Sequence, residues 1–98
     1  MERKVVWNKR PSSSLNKALK KISEDSYLQA ERVEEAIVAT LELARQNPER
    51  YPPDKFKKEN QGSYRAFETH SYRIAYRFTD TQVRVLRIRH VRQEPKPY

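Results

Sequence analysis

Ninety-eight residues without a cysteine, 35% of them charged, describe one small domain that builds its core without disulfides, thiol chemistry or thiolate metal sites. No apolar run approaches the roughly 20 residues of a membrane span, and Met1-Glu2-Arg3-Lys4 leads into too short an apolar stretch for a signal peptide, so a soluble, cytoplasmic chain is expected. The net charge of +8 is split into +6 over residues 1–23, −5 over 24–54 and +7 over 55–98, which points to a solvated scaffold flanked by two segments that converge on a polyanion, nucleic acid first.

Lys4-Val5-Val6-Trp7 reads as a first strand, and Asn8-Lys9-Arg10-Pro11 turns out of it. Ser12, Ser13 and Ser14 offer helix caps, after which Leu15, Ala18, Leu19 and Ile22 fall at the spacing of one helical stripe. Lys17, Lys20 and Lys21 occupy the polar side. Ser23-Glu24-Asp25 interrupts the pattern and supplies a second cap. Ala30, Val33, Ile37, Leu41 and Ala44 then continue at steps of three and four up to Asn47-Pro48. These two helices form an antiparallel hairpin laid over a sheet.

Three prolines make residues 47–54 irregular. Lys55-Phe56-Lys57-Lys58 is a basic loop, and Gly62, the single glycine, marks the turn into Tyr64-Arg65-Ala66-Phe67-Glu68, a second strand. Thr69-His70-Ser71 turns the chain into a third, Tyr72 to Phe78, and Thr79-Asp80-Thr81 into a fourth, Gln82 to Val91. In the third strand Tyr72, Ile74, Tyr76 and Phe78 fall on one face, and Arg73, Ala75 and Arg77 on the other. Alternation in the fourth groups Leu86 and Ile88, expected under the helices, and leaves Arg87 and Arg89 on the open face. The tail from Arg92 to Tyr98 cannot continue the ladder past Pro95 and Pro97 and is expected to fold over the sheet edge.

Arg65, Arg77, Arg87 and Arg89, with Lys55, Lys57 and Lys58, form the candidate surface for RNA phosphates. Glu31, Glu34, Glu35 and Glu42 share a helix, but no histidine joins them and Arg32 and Arg45 lie nearby, so a solvated face is expected rather than a metal site. His70 is read as a turn residue. Neither a metal nor a cofactor is implied.

A strand, a helix hairpin and three consecutive strands, with the Lys-Val-Val-Trp opening, an Ala-rich second helix closing on Asn-Pro, Tyr72-Arg73-Ile74-Ala75-Tyr76 and Val85-Leu86-Arg87-Ile88-Arg89-His90, resemble the RelE/ParE superfamily of bacterial toxins. The resemblance covers nearly the whole chain. It implies an α+β fold of β-α-α-β-β-β order, a helical hairpin packed on an antiparallel sheet, and a toxin of a type II toxin-antitoxin module neutralised by a cognate antitoxin. RelE-like members cut mRNA on the ribosome; ParE-like members inhibit DNA gyrase and are not nucleases.

For the ribosome-dependent endoribonuclease, the resemblance implies four catalytic residues. Arg73 matches the arginine placed at the scissile phosphate, and Arg92 and Tyr98 resemble the arginine and closing tyrosine of the RelE tail. His90 resembles the histidine that other ribosome-dependent members carry at the end of this strand. Guanidiniums suit a phosphorane with extra negative charge, and an imidazole suits proton transfer. Tyr64 and Ala66 stand where RelE carries two functional lysines. The alternatives implied are a gyrase inhibitor and a degenerate toxin that retains only antitoxin binding.

Overall fold

Residues 2–98 are described by the structure, a computed structural model. They order as β1 (Lys4–Trp7), α1 (Lys9–Asp25), α2 (Tyr27–Gln46), a 3-10 turn (Pro48–Arg50), β2 (Tyr64–Thr69), β3 (Tyr72–Phe78) and β4 (Gln82–His90). The α+β domain therefore has the expected β-α-α-β-β-β order. Its sheet runs β1-β4-β3-β2. The pairs β2/β3 and β3/β4 are antiparallel as expected, but β1 lies parallel to β4. A parallel neighbour needs a long crossover, which the helices together with β2 and β3 supply.

The first helix begins at Lys9 rather than at the serines. Proline is tolerated there because the first N–H groups of a helix have no intrahelical acceptor, so Pro11 lies in the first turn and buries its ring. The Ser12 N–H then donates to the Asn8 carbonyl at 3.2 Å. The break between the helices is also later than expected, at Ser26 instead of Ser23. Ser26 ends α1 through its N–H, which donates to the Ile22 carbonyl, and starts α2 through its hydroxyl, which accepts the Gln29 N–H. One extended residue thus serves as both caps.

The apolar stripe of α2 is buried as its spacing requires: Ala30, Val33, Ile37, Leu41 and Ala44. Val33, Ile37, Leu41 and Ala44 meet Leu15 of α1 and Phe67, Ile74, Tyr76, Val83 and Val85 of the sheet, with Trp7, Leu19, Ile22 and Ile88 packed around them. Tyr76 is fully buried, and its hydroxyl donates to the Pro48 carbonyl at 2.7 Å. The 3-10 turn that follows α2 is thereby fastened to the centre of the sheet.

Strict alternation fails in β4. Ala75 faces Arg87 while the next residue, Tyr76, faces Val85, so Leu86 is the extra residue of a β-bulge. The bulge shifts the phase by one. Val83 and Val85, not Leu86, fill the core beside Tyr76, and Ile88 returns to the same face opposite Ile74. Arg87 and Arg89 still reach the open face, together with Arg84 opposite Arg77.

Candidate functional site

The open face is built from alternate residues of three strands: Tyr64, Ala66 and Glu68 of β2, Arg73, Ala75 and Arg77 of β3, and Arg84, Arg87 and Arg89 of β4. Two further segments cover it. The loop after the 3-10 turn adds to the edge of β2, where Asp54 N–H donates to the Tyr64 carbonyl at 2.8 Å and Ala66 N–H to the Pro52 carbonyl at 3.2 Å. Asn60 pins the loop. Its amide donates to the Tyr64 carbonyl, and its oxygen accepts from the Gly62 and Tyr64 N–H groups. Gly62 stands at φ +110°, a left-handed position that suits glycine.

This loop delivers Asp54, which the sequence reading did not single out, to the middle of the basic face. Asp54 is 3% exposed. Arg73 Nη2 donates to its Oδ1 at 2.9 Å, the Tyr98 hydroxyl to its Oδ2 at 2.7 Å, and the Phe56 N–H to Oδ1 at 3.1 Å. Burial pushes the carboxyl upward, but the hydrogen bonds from Tyr98, Arg73 and the Phe56 amide outweigh it and hold the group below its ordinary value. Asp54 is ionised at neutral pH. Burial first, and then the hydrogen bond to Asp54, push the Tyr98 phenol well above its usual range, so Tyr98 keeps its proton.

The cations of this face rest on aromatic rings. Arg73 and Arg89 both lie over Phe56, with guanidinium carbons 4.9 and 5.3 Å from its centroid. Tyr64 carries Lys57 at 4.8 Å and Arg77 at 5.3 Å, and Tyr98 carries Arg87 at 4.5 Å. Such stacking lets like charges gather with less mutual repulsion. Lys55 also lies over Phe56, whereas Lys58 is exposed and contributes its N–H to the Tyr98 main-chain oxygen.

Of the four residues proposed for catalysis, the fold brings two together. Arg73 and Tyr98 share Asp54. Arg73 also donates from Nη1 to Glu68, its cross-strand neighbour, at 3.1 Å, so two carboxylates offset its charge. His90 is paired with Tyr72 and stacks edge-on against it at 5.3 Å, on the helix side of the sheet and opposite to Arg73. There it lines a cleft of about 570 Å³ with Lys17 and Lys21 of α1. Its Nδ1 accepts the Arg92 main-chain N–H at 3.1 Å, and Arg92 itself is exposed.

Arg65 likewise lies off the open face, donating to the Gly62 and Tyr51 carbonyls. It braces the loop. The tail does not fold over the sheet edge: it returns across the open face, where Arg87 donates to the Lys96 carbonyl and Tyr98 bonds to the loop through Phe56 and Lys58. Among the described residues no group of three or more His, Asp or Glu could hold a metal ion, and no helix is long and apolar enough to cross a membrane. Glu31, Glu34, Glu35 and Glu42 are exposed on α2.

Asp54 left one signal in the sequence, as an acid between two prolines and a basic run, but its partners lie 19 and 44 residues away and only the fold joins them. Arg84 was hidden by the bulge, because strict alternation gave no reason to place it beside Arg77.

No curated protein matches the chain. Residues 5–95, nearly its full length, match the family described as the ParE toxin of type II toxin-antitoxin system, parDE. With the fold and the match in agreement, the chain belongs to this family of toxins, within the RelE/ParE superfamily, a membership that implies a cognate antitoxin as partner.

Proposed function

We propose that this toxin acts by binding its target through the arginine and aromatic face, without cutting RNA, and that the target is DNA gyrase, as in the ParE branch. The observation that carries the reading is the separation of Arg73 from His90. Arg73 faces Arg89 across the ladder while the adjacent Tyr72 faces His90, so the two side chains leave opposite faces of the sheet. A phosphate held by Arg73 is out of reach of the imidazole. Arg73 is moreover bound to Asp54 and Glu68, which suits a residue that shapes a surface better than one that meets a developing charge.

The test is a supercoiling and DNA-cleavage assay with purified gyrase. Inhibited supercoiling or accumulation of cleaved DNA is expected, with an SOS response in cells. Undisturbed gyrase together with new cuts at A-site codons of ribosome-bound mRNA overturns the reading.

One observation favours the second reading, a ribosome-dependent endoribonuclease. Arg73, Arg87, Arg89 and Lys96 surround a small gap floored by Ala75, next to Asp54, which accepts the Tyr98 hydroxyl. RNA cleavage needs activation of the 2′-OH, stabilisation of the phosphorane and protonation of the departing 5′ oxygen. The guanidiniums serve the second need, and Asp54 and Tyr98 are the acid-base pair at hand. Mapping ribosome-bound mRNA after induction decides between the two readings. Growth arrest that is lost in Arg73→Ala with folding retained excludes a degenerate toxin.

A further inference from the structure

Residues 91–97 are exposed, yet Tyr98 beyond them is half-buried. The start of this stretch is pinned, with the Val91 N–H donating to the Ser71 carbonyl at 2.8 Å and Gln93 accepting from Arg89 and from the His90 N–H, so the part that can open locally as an arm, without unfolding of the rest, begins at Glu94. The seat is well defined. The Tyr98 hydroxyl donates to Asp54, its N–H donates to the Phe56 carbonyl at 2.9 Å, and its main-chain oxygen accepts the Lys58 N–H at 2.7 Å. Arg87 is occupied twice, by the Tyr98 ring and by the Lys96 carbonyl at 2.6 Å. Beneath the arm, the gap over Ala75 measures about 20 Å³, space for a single water-sized group among Arg73, Arg87 and Arg89.

We propose that residues 94–98 are a latch over the arginine face, keyed by Asp54, and that only the open form offers Arg73, Arg87 and Arg89 together to a nucleic-acid phosphate. Asp54 is the positioning residue of this device. One carboxylate oxygen holds Arg73 and the other holds Tyr98, so releasing the tyrosine frees Arg87 and uncovers the gap beside Arg73, while Arg73 keeps its own carboxylate oxygen and stays in place. Pro95 and Pro97 stiffen the arm and keep it out of the β-ladder, which lowers the entropy lost on closing. A ligand that binds only the open form has its apparent affinity reduced by the open fraction. The latch thereby sets how readily the face takes up a nucleic-acid phosphate, a property separate from the gyrase contact proposed above.

The experiment uses the full chain, as wild type, Tyr98→Phe and Asp54→Asn. Amide hydrogen exchange is read at Tyr98 and Lys58, whose N–H groups join tail and loop, and at the β3 amides as an internal control. Affinity is read with a single-stranded oligothymidylate at fixed salt. Loss of a hydrogen bond to a carboxylate predicts exchange at the two latch amides roughly tenfold faster in Tyr98→Phe, unchanged exchange in β3, and oligothymidylate binding tighter by up to about tenfold. Asp54→Asn loosens the same two amides. Unchanged exchange in Tyr98→Phe overturns the key, and faster exchange without tighter binding overturns the masking. Neither readout involves gyrase or the ribosome, so failure here is distinct from failure of the proposed target.

Discussion

Arg73 Nη2 lies 2.9 Å from Asp54 Oδ1, joining β3 to a carboxylate that is 3% exposed and reaches the sheet from a loop 19 residues earlier. The pair is sheltered, and the remaining Asp54 oxygen is used by Tyr98. A compensated buried charge becomes costly once its partner is removed.

Asp54→Asn is therefore expected to lower stability at neutral pH by on the order of 2–3 kcal/mol, read by urea denaturation. The pH dependence gives a second check. Burial raises the Asp54 carboxyl and its three hydrogen-bond donors lower it further, so its folded value lies below the ordinary 3.8. Stability from such a group is fully present above the unfolded value and is lost as pH falls through the folded one. Wild type should weaken in acid below about pH 4, and Asp54→Asn should show a flatter dependence over that window.

The bulge at Leu86 makes a prediction opposite to the one strict alternation gives. Val85 is 0% exposed against Tyr76, whereas Leu86 is half-buried outside the core. Val85→Ala is expected to cost about 2 kcal/mol and Leu86→Ala less than about 1 kcal/mol, although leucine is the larger residue. Equal or reversed losses in thermal unfolding would return Leu86 to the core.

Much of the fold was legible because its signals are local. The stripe from Ala30 to Ala44 has one period and one buried face, and the residues of β3 alternate without interruption. Leu86 marks where local reading ends. Val83-Arg84-Val85 and Leu86-Arg87-Ile88-Arg89 are two alternations out of phase, and the Val85-Leu86 pair is the break between them. The site was legible only in part, for the same reason. Arg73, Arg77, Arg87 and Arg89 follow from alternation, but the Asp54 to Tyr98 hydrogen bond and the separation of His90 from Arg73 depend on register and on where the loop and tail return.

Tyr76 offers a test of how the helices are fastened to the sheet. Its hydroxyl is buried and donates to the carbonyl of Pro48, which opens the 3-10 turn just after α2. Burial also pushes the phenol well above its usual range, so it remains a donor. Tyr76→Phe leaves that carbonyl without this partner and should lower stability by about 1–2 kcal/mol, or a fall in Tm of roughly 4–16 °C for a domain of this size. Calorimetry measures both quantities.

The β2/β3 hairpin carries strain that can be removed. His70 and Ser71 have φ of 49° and 70°, the left-handed pair of a two-residue type I′ turn, in which Asn-Gly is favoured. Replacing His70-Ser71 by Asn-Gly should raise stability by about 1 kcal/mol. An unchanged or lower unfolding midpoint would show that the His70 ring, whose Nδ1 lies 3.0 Å from the Thr69 hydroxyl, offsets the strain.

Toxicity itself separates the two sides of the sheet. Arg77 is exposed on the open face and stacks on Tyr64, without an acidic partner among the described residues. Arg77→Glu reverses a surface charge and should leave unfolding within about 0.5 kcal/mol of wild type. If the open face engages the target, the same change should weaken growth arrest on induction by at least roughly tenfold in the expression level required, since like charges across an interface are costly. His90→Ala, on the helix side and away from Arg73, should leave that threshold unchanged. Loss of toxicity in His90→Ala with a folded protein, and retention in Arg77→Glu, would move the effector surface to the cleft lined by Lys17 and Lys21.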